Sequence, residues 1–495
     1  VEKEPVPLRT YSMTERMNAD PVAEIPFTGN KGIMLGDVYD GKATLEDFVA
    51  QLTDEEMCYM VRGEGMCSPK VTPGIAAAFG GVTDELKAYG IPCAGCSDGP
   101  SGIRMDCGTK AFAMPNGTCL ACTFDLALCE ELYQWEGKEL RKNRIDTLLG
   151  PGMNLHRNPL NGRNFEYFSE DPLLTGKMAA AQLKGMAAYG VTGTIKHFAA
   201  NNQEHHRRNF NSIISERAVR EMYLRGFEIA VKEGDAYSIM STYGAINGLW
   251  TAGNYDLITT ILRGEWNYDG LVMTDWWAFM NDEGGEATVQ NTAAMVKAQN
   301  DLYMVTADSK TNANDDNLAE RLASGMLERR HLQRCAKNIL KVLMKSPVME
   351  RSLGRMSQEE KEAFEQMDAS DKVDFDIIFH EFEDGKMALD TTVANTDKGN
   401  SLLYGIKCDQ KGVYTIRMKV KVEASELAQV NTSIFINEHL INMITMNGTG
   451  DEWQIKECDI MLFGPNNYLK FFFAESGTRL DGITLEYKEE LQPFF

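Results

Sequence analysis

The sequence predicts an α/β protein, a (β/α)8 TIM-like barrel followed by an all-β, jelly-roll-like sandwich, and three observations carry that prediction. Between residues 44 and 345, short apolar runs alternate with long helical stretches. That is the pattern of a parallel sheet with crossover helices, for which a barrel is the commonest single-domain answer at roughly 300 residues. Beyond residue 375 the period changes to two, as in Gly412-Val413-Tyr414-Thr415-Ile416-Arg417-Met418-Lys419-Val420, the mark of half-buried strands. Polar clusters follow the apolar runs, where a barrel gathers its functional residues.

Taken in order, residues 1–43 carry Pro5, Pro7, Pro21 and Pro26 among charges without periodicity, and read as a linker or wrap-around arm. In the 44–345 barrel, Thr53 and Glu56 form a capping box opening a helical turn over 57–61. Candidate strands are 91–96, 147–153, 191–195, 237–240, 271–274 and 301–304, separated by helices such as 123–142, 173–189 and 215–232. Residues 346–374 are charged and read as a connector, with a helix-prone stretch from Gln358 to Gln366. Residues 375–495 continue with runs at 432–436 and 468–473 and turns at Asn447-Gly448 and Asn466-Asn467, a β-sandwich.

Fifty basic against 72 acidic residues give a net charge of −22, which argues against nucleic acid and anionic membranes as partners. No run of 18 apolar residues exists to span a bilayer. Eleven cysteines, an odd count without disulfide-scaffold spacing, and 27 methionines suit a reducing, cytoplasmic setting. The chain opens on Val1 without a signal-peptide pattern, so processing, or a longer product of which this is a part, is expected.

The segment Gly270-Leu271-Val272-Met273-Thr274-Asp275-Trp276 reads as an apolar strand stopping at a carboxylate beside Trp276 and Trp277. Alone, Asp275 reads better as the N-cap of the next helix. Four other strand ends are polar as well: Asp98–Arg104, Asn154–Glu166, Lys196-His197 and Ser241-Thr242-Tyr243. Each would need its own compensation if buried for structure alone, so a shared site is expected. Arg, Lys, Asp and His without a Gly-rich phosphate loop suit a neutral molecule studded with hydroxyls, with Trp covering an apolar sugar face. Asp275 would attack the anomeric carbon, and Tyr243 could hydrogen-bond that carboxylate and hold it ionised. Cys93-x-x-Cys96 and Cys119-x-x-Cys122 read as buried free thiols rather than a metal site. The acidic residues Asp301, Asp308, Asp315 and Asp316 read as a solvated face. No metal or cofactor is called for.

The runs Asp98–Arg104, Gly162–Glu166 with Ser169-Glu170-Asp171-Pro172, Lys196-His197-Phe198, Arg207 and Thr274-Asp275-Trp276 resemble glycoside hydrolase family 3 of the β-glucosidase type over about residues 45–345. The resemblance implies a retaining exo-acting β-glycosidase, a β-glucosidase releasing terminal β-D-glucosyl residues from a β-glucoside or cello-oligosaccharide through a glycosyl-Asp275 intermediate. It also implies that Asp98, Arg104, Arg163, Lys196, His197, Arg207 and Trp276 hold the sugar in the −1 subsite, with Tyr243 flanking the nucleophile. Glu166 and Asp171 would brace a loop and cap a helix, and Arg157 would lie outside.

Family members of this type usually follow the barrel with an α/β sandwich carrying the acid/base Glu, and no such alternation follows Leu343. The stretch Gly32-Ile33-Met34-Leu35-Gly36-Asp37-Val38-Tyr39 resembles the segment entering the barrel in permuted relatives. The acid/base Glu is therefore expected from a complementary polypeptide or an upstream segment. Glu64, in a Gly-flanked stretch read as a flexible loop, is the strongest internal rival, ahead of Asp98, Glu166 and Glu204. The hexosaminidase branch places an Asp-His pair after Lys-His; here that stretch ends in His205-His206 and lacks Asp-Ser-His. The alternatives are a β-xylosidase or hexosaminidase of the same fold, or a non-catalytic sugar-binding or assembly subunit, and a homo-oligomer is compatible. In the sandwich, Tyr404, Tyr414, Trp453 and Tyr468 are candidates for stacking on sugar.

Overall fold

Eight short strands make the barrel: β1 (Arg62–Glu64), β2 (Ala77–Gly80), β3 (Cys93–Ser97), β4 (Thr147–Leu148), β5 (Thr192–Phe198), β6 (Ser238–Ser241), β7 (Leu271–Met273) and β8 (Tyr303–Thr306). They lie side by side in chain order, with β1 beside β8. A parallel bridge from Met273 to Leu302 and the Thr274 N–H donated to Leu302 O close the ring between β7 and β8. The computed structural model describes residues 12–19, 22–358 and 377–491. It divides into two compact units: the barrel, and a second unit in which Gly65–Ala76 and Met105–Lys110 join the C-terminal strands.

The six runs read from sequence supply β3 to β8. The first two strands carried no signal: Arg62-Gly63-Glu64 and Ala77-Ala78-Phe79-Gly80 are short and hold no β-branched residue. β2 runs antiparallel to both neighbours, because a loop and not a crossover helix leads into it. The strands pack closely there: a Cβ at Gly63 would stand 2.5 Å from Met304 Sδ and 3.1 Å from Tyr303 O.

The helices begin where polar caps demand. Thr53 and Glu56 form the expected capping box at Asp54–Met60. Asp125 caps Leu126–Lys142, and Asp171 caps Pro172–Ala187 with Pro at its start. These two helices approach so closely that a Cβ at Gly185 would meet Glu130 O at 2.4 Å. The helix expected over 215–232 is split into Glu216–Ala218 and Arg225–Gly234 by a π turn, Val219–Tyr223.

The described part of the arm lies along the barrel, where the Ile25 N–H donates to Gln333 Oε1 and Leu35 is fully buried. Pro5, Pro7 and Pro21 lie outside the described residues, as does most of the 358–366 stretch; Pro347–Ser352 is helical.

Two expectations fail here. Asp301 and Asp316 are not part of a solvated face. Asp301 is fully buried and accepts from Arg263 Nη2 at 2.6 Å, Val272 N at 2.8 Å and Asn338 Nδ2 at 2.9 Å. Asp316 takes both prongs of buried Arg62, at 2.6 and 3.0 Å. Charge density along the chain cannot show that a cation waits across the fold. Cys119 and Cys122 are exposed rather than buried, at the end of a short helix, Gly117–Ala121.

Among the described residues the second unit holds nine strands: β9 (Phe379–Glu381), β10 (Lys386–Leu389), β11 (Ser401–Lys407), β12 (Gly412–Val422), β13 (Val430–Ile436), β14 (His439–Met446), β15 (Gln454–Leu462), β16 (Asn466–Phe473) and β17 (Thr478–Glu490). One sheet runs β9-β11-β16-β13-β14 and the other β10-β17-β12-β15. Alternate residues of β12, including Ile416, Met418 and Val420, enter a core with Ile434, Phe471, Phe473 and Leu485. Three of the four candidate stacking aromatics are engaged. Tyr414 lies in the core, the Tyr404 hydroxyl donates to Asp390 O, and the Tyr468 hydroxyl accepts from Gly74 N at 3.2 Å. Trp453 stays 44% exposed beneath the Lys419 ammonium.

Candidate active site

β7 ends against β8 through Thr274, whose Oγ1 accepts from Met304 N at 2.8 Å and donates to Met304 O at 3.3 Å. The next residue, Asp275, is only 7% exposed. Its Oδ1 accepts from Trp276 N at 2.7 Å, whereas Oδ2 is buried without a hydrogen-bond partner. Burial pushes this carboxyl up to about 6, against the pull of the Arg163, Lys196 and Arg207 charges and the Trp276 N–H. Trp276 is 8% exposed beside it.

The end of β5 supplies Lys196 and His197, both buried. Lys196 Nζ donates to Asp98 Oδ1 at 3.0 Å and stands 3.3 Å from Glu166 Oε1. Burial works against the ammonium, but Asp98 and Glu166 outweigh it and keep Lys196 charged. Burial likewise works to raise the Asp98 carboxyl; Lys196 and Arg104 overcome it and hold it below the usual range. The Asn154 amide grips the His197 backbone, accepting from its N–H and donating to its carbonyl, each at 2.9 Å. Burial, reinforced by Arg163, Lys196 and Arg207, keeps the His197 imidazole neutral. Its Nε2 lies 3.7 Å from Asp275 Oδ2.

Arg163 gives both prongs to buried Glu166, at 2.7 and 2.9 Å, and its Nη1 stands 3.8 Å from Glu204. Glu204 also accepts from Arg207 at 3.0 Å and Asn201 at 3.0 Å. The Arg207 guanidinium lies 4.5 Å from the centre of the Tyr243 ring. Tyr243 is 5% exposed, and burial together with the Asp275 charge pushes its phenol up.

Contacts and fields thus link Asp275, Tyr243, His197, Lys196, Asp98, Arg163 and Arg207. Arg104 is exposed and reaches this set through its field on Asp98. Arg157 turns outward onto Tyr223, and His205 and His206 sit exposed on one another. Glu64 is not in a flexible loop: it is buried in β1 and accepts from Ser309 N at 3.2 Å and Oγ at 3.1 Å. Sequence reasoning missed Tyr167 and gave no role to Asn154, which opens one of the polar strand ends, or to Asn201. Tyr167 reads as core and directly follows Glu166, so adjacency to the loop motif was the one available signal.

The glycosyl hydrolase family 3 N-terminal domain matches residues 61–342, more than half of the chain. The chain belongs to glycosyl hydrolase family 3. The family 3 span opens at β1, closes within the Arg329–Lys345 helix and contains every residue of the site. A β-glucosidase of Ruminococcus albus is 49% identical, over 94% of this chain and 49% of the relative. β-Glucosidase A of Butyrivibrio fibrisolvens is 42% identical over 49% of this chain and 29% of that protein. Among solved structures, a β-glucosidase from Paenibacillus barengoltzii superposes with a TM-score of 0.69 at 45% identity, covering 97% of this chain and 51% of that one. β-Glucosidase 3B from Thermotoga neapolitana in complex with glucose gives 0.57 at 37% identity, over 65% of this family 3 chain and 46% of that one. The chain thus spans about half the length, or less, of these relatives. Among the described residues, no helix is long and apolar enough to cross a membrane.

Proposed function

We propose that this chain carries the nucleophile and the −1 sugar pocket of a retaining, exo-acting β-glucosidase. One observation carries the reading: the buried Asp275 carboxylate stands beside Tyr243 and neutral His197, within the field of Arg163, Lys196 and Arg207. An ionised carboxylate held there can attack the anomeric carbon, giving a glycosyl ester that water later hydrolyses. Lys196, Asp98, Arg163, Arg207 and His197 hold the sugar hydroxyls, Arg104 borders them and Trp276 covers the apolar face. The similarity to β-glucosidases supports the glucoside over other sugars.

Retention needs a second carboxyl about 5–5.5 Å from the nucleophile, on the leaving-group side. Among the described residues, the carboxylates weighed from the sequence are engaged: Glu64 by Ser309, Glu166 by Arg163 and Lys196, Glu204 by Arg207 and Asn201. The acid/base Glu therefore comes from a complementary polypeptide or another segment of the protein. A reducing, cytoplasmic compartment is supported by thiols buried in the fold at Cys58, Cys96, Cys129 and Cys335. The test is trapping with a 2-fluoro-β-glucoside, followed by peptide mapping. The label is expected on Asp275; label on another carboxylate, or binding of glucose with no label, would favour a different nucleophile or a pure binding subunit.

A further inference from the structure

We propose that Tyr167 is a positioning residue: its hydroxyl donates to His197 Nδ1, fixes the Nε2–H tautomer and so aims a donor at Asp275 Oδ2. The proposal rests on the reading of Asp275 as nucleophile.

A hydrogen-bond inventory of buried groups decides the proton positions. Tyr167 is fully buried, its hydroxyl accepts from Asn201 Nδ2 at 3.1 Å, and it lies 3.2 Å from His197 Nδ1. The same Asn201 amide group donates to Glu204 Oε1, so the Tyr167 oxygen is supplied with a donor and its own proton needs an acceptor. The rival arrangement puts the proton on His197 Nδ1 and donates it to Asn154 Oδ1 at 3.3 Å. That oxygen already accepts the His197 N–H, and the Asn154 NH2 donates to the His197 carbonyl, so this amide cannot be reversed. The rival leaves the Tyr167 proton without its acceptor. It also turns the Nε2 lone pair toward the Asp275 carboxylate, 3.7 Å away. Both defects vanish together in the Nε2–H tautomer, since the hydrogen bond on one ring nitrogen sets the role of the other. The rings meet edge to face, with centroids 6.2 Å apart at 75°, which holds the imidazole plane.

Asp275 is also surrounded by Arg163, Lys196, Arg207, Tyr243 and the Trp276 N–H, and Tyr167 by Arg163, Glu166 and Glu204. Tyr167→Phe removes none of these. It removes one proton donor, after which the ring moves its own proton to Nδ1 and presents a lone pair to Asp275. Ionised Asp275 is then disfavoured.

Side-chain 15N spectra of the labelled chain, with His197 assigned by its loss in His197→Gln, read the tautomer directly. The Nε2–H pattern is expected in the wild type and the Nδ1–H pattern in Tyr167→Phe. With 2,4-dinitrophenyl β-glucoside, the acidic limb of the release rate moves upward by about one pH unit in Tyr167→Phe, as a donor 3.7 Å from the carboxylate gives way to a lone pair. A packing defect would lower the rate at every pH and leave the limb in place. An Nδ1–H wild type, an unchanged tautomer in Tyr167→Phe or an unmoved limb overturns the proposal. If Tyr167→Phe fails to fold, the wild-type tautomer decides. An Nε2–H wild type that takes no 2-fluoroglucoside label would overturn the functional reading and leave the tautomer assignment standing.

Discussion

Lys196 and Glu166 meet 3.3 Å apart where both are almost fully buried, and Glu166 simultaneously takes both prongs of Arg163. One carboxylate therefore anchors two cations that the proposed function assigns to the sugar. Burial works to raise the Glu166 carboxyl, but Lys196 and Arg163 hold it below its ordinary range, so it stays ionised.

Glu166→Gln is accordingly expected to behave as a broken buried pair and not as a lost loop contact. Removing one partner of such a network costs about 3–5 kcal/mol, because the remaining charges stay buried. Urea unfolding should show that loss, and 2-fluoroglucoside labelling should slow as Arg163 and Lys196 lose their aim. A variant as stable as wild type would mean that water already compensates these cations.

Asp275 carries a pH signature in both activity and stability. Its carboxyl, pushed up to about 6 by burial, must be ionised to attack, so dinitrophenolate release should fall as pH drops through about 6. For stability the sign is reversed. The folded value lies above the unfolded one, so the contribution is complete below the unfolded value, near 4, and fades as pH rises through 6. Asp275→Asn should therefore abolish labelling yet raise Tm at pH 7.5, by an amount worth about 1–3 kcal/mol. A lower Tm for Asp275→Asn across the whole pH range would show that the charged carboxylate stabilises the fold.

Glu136 offers a second test far from catalysis. It is fully buried in the Leu126–Lys142 helix, both carboxylate oxygens lack partners, and burial with the nearby Glu139 charge pushes it up to about 8. The folded chain keeps a proton that the unfolded chain surrenders near 4.5, so stability declines as pH rises from there through about 8. Glu136→Gln should flatten that decline and exceed the wild type by roughly 2–4 kcal/mol above pH 8. Parallel melting curves at pH 6 and 9 for the two proteins provide the comparison.

The missing acid can be tested by leaving-group dependence. General-acid help contributes roughly 10²–10⁴-fold and matters least for the best leaving groups. This chain alone should release dinitrophenolate slowly but leave cellobiose essentially untouched, and Glu64→Gln should not change the ratio of the two. Efficient cellobiose hydrolysis lost in Glu64→Gln would place the acid at β1.

Strand ends were legible because chemistry and periodicity coincide there. Asp275 closes an apolar run, Lys196-His197 closes another, and Asp98 follows a third. Such a carboxylate or ammonium has few reasons to sit there apart from a shared cleft. β1 and β2 were not legible, since three- and four-residue strands with Gly and Ala carry no period of their own.

By itself, then, the sequence determined the alternation of the barrel, the caps at Thr53 and Asp171, the two-residue period of β12, and which side chains gather at one barrel end. These are local properties, written in spacing along the chain. Only the tertiary structure decided what each charge faces. It buried Asp301 against Arg263, gave Glu64 to Ser309, joined Arg163 and Arg207 through Glu204, and set Tyr167 against His197. Pairing energy depends on distance and burial, and partners such as Glu64 and Ser309, 245 positions apart, are brought together only by the closing of the barrel.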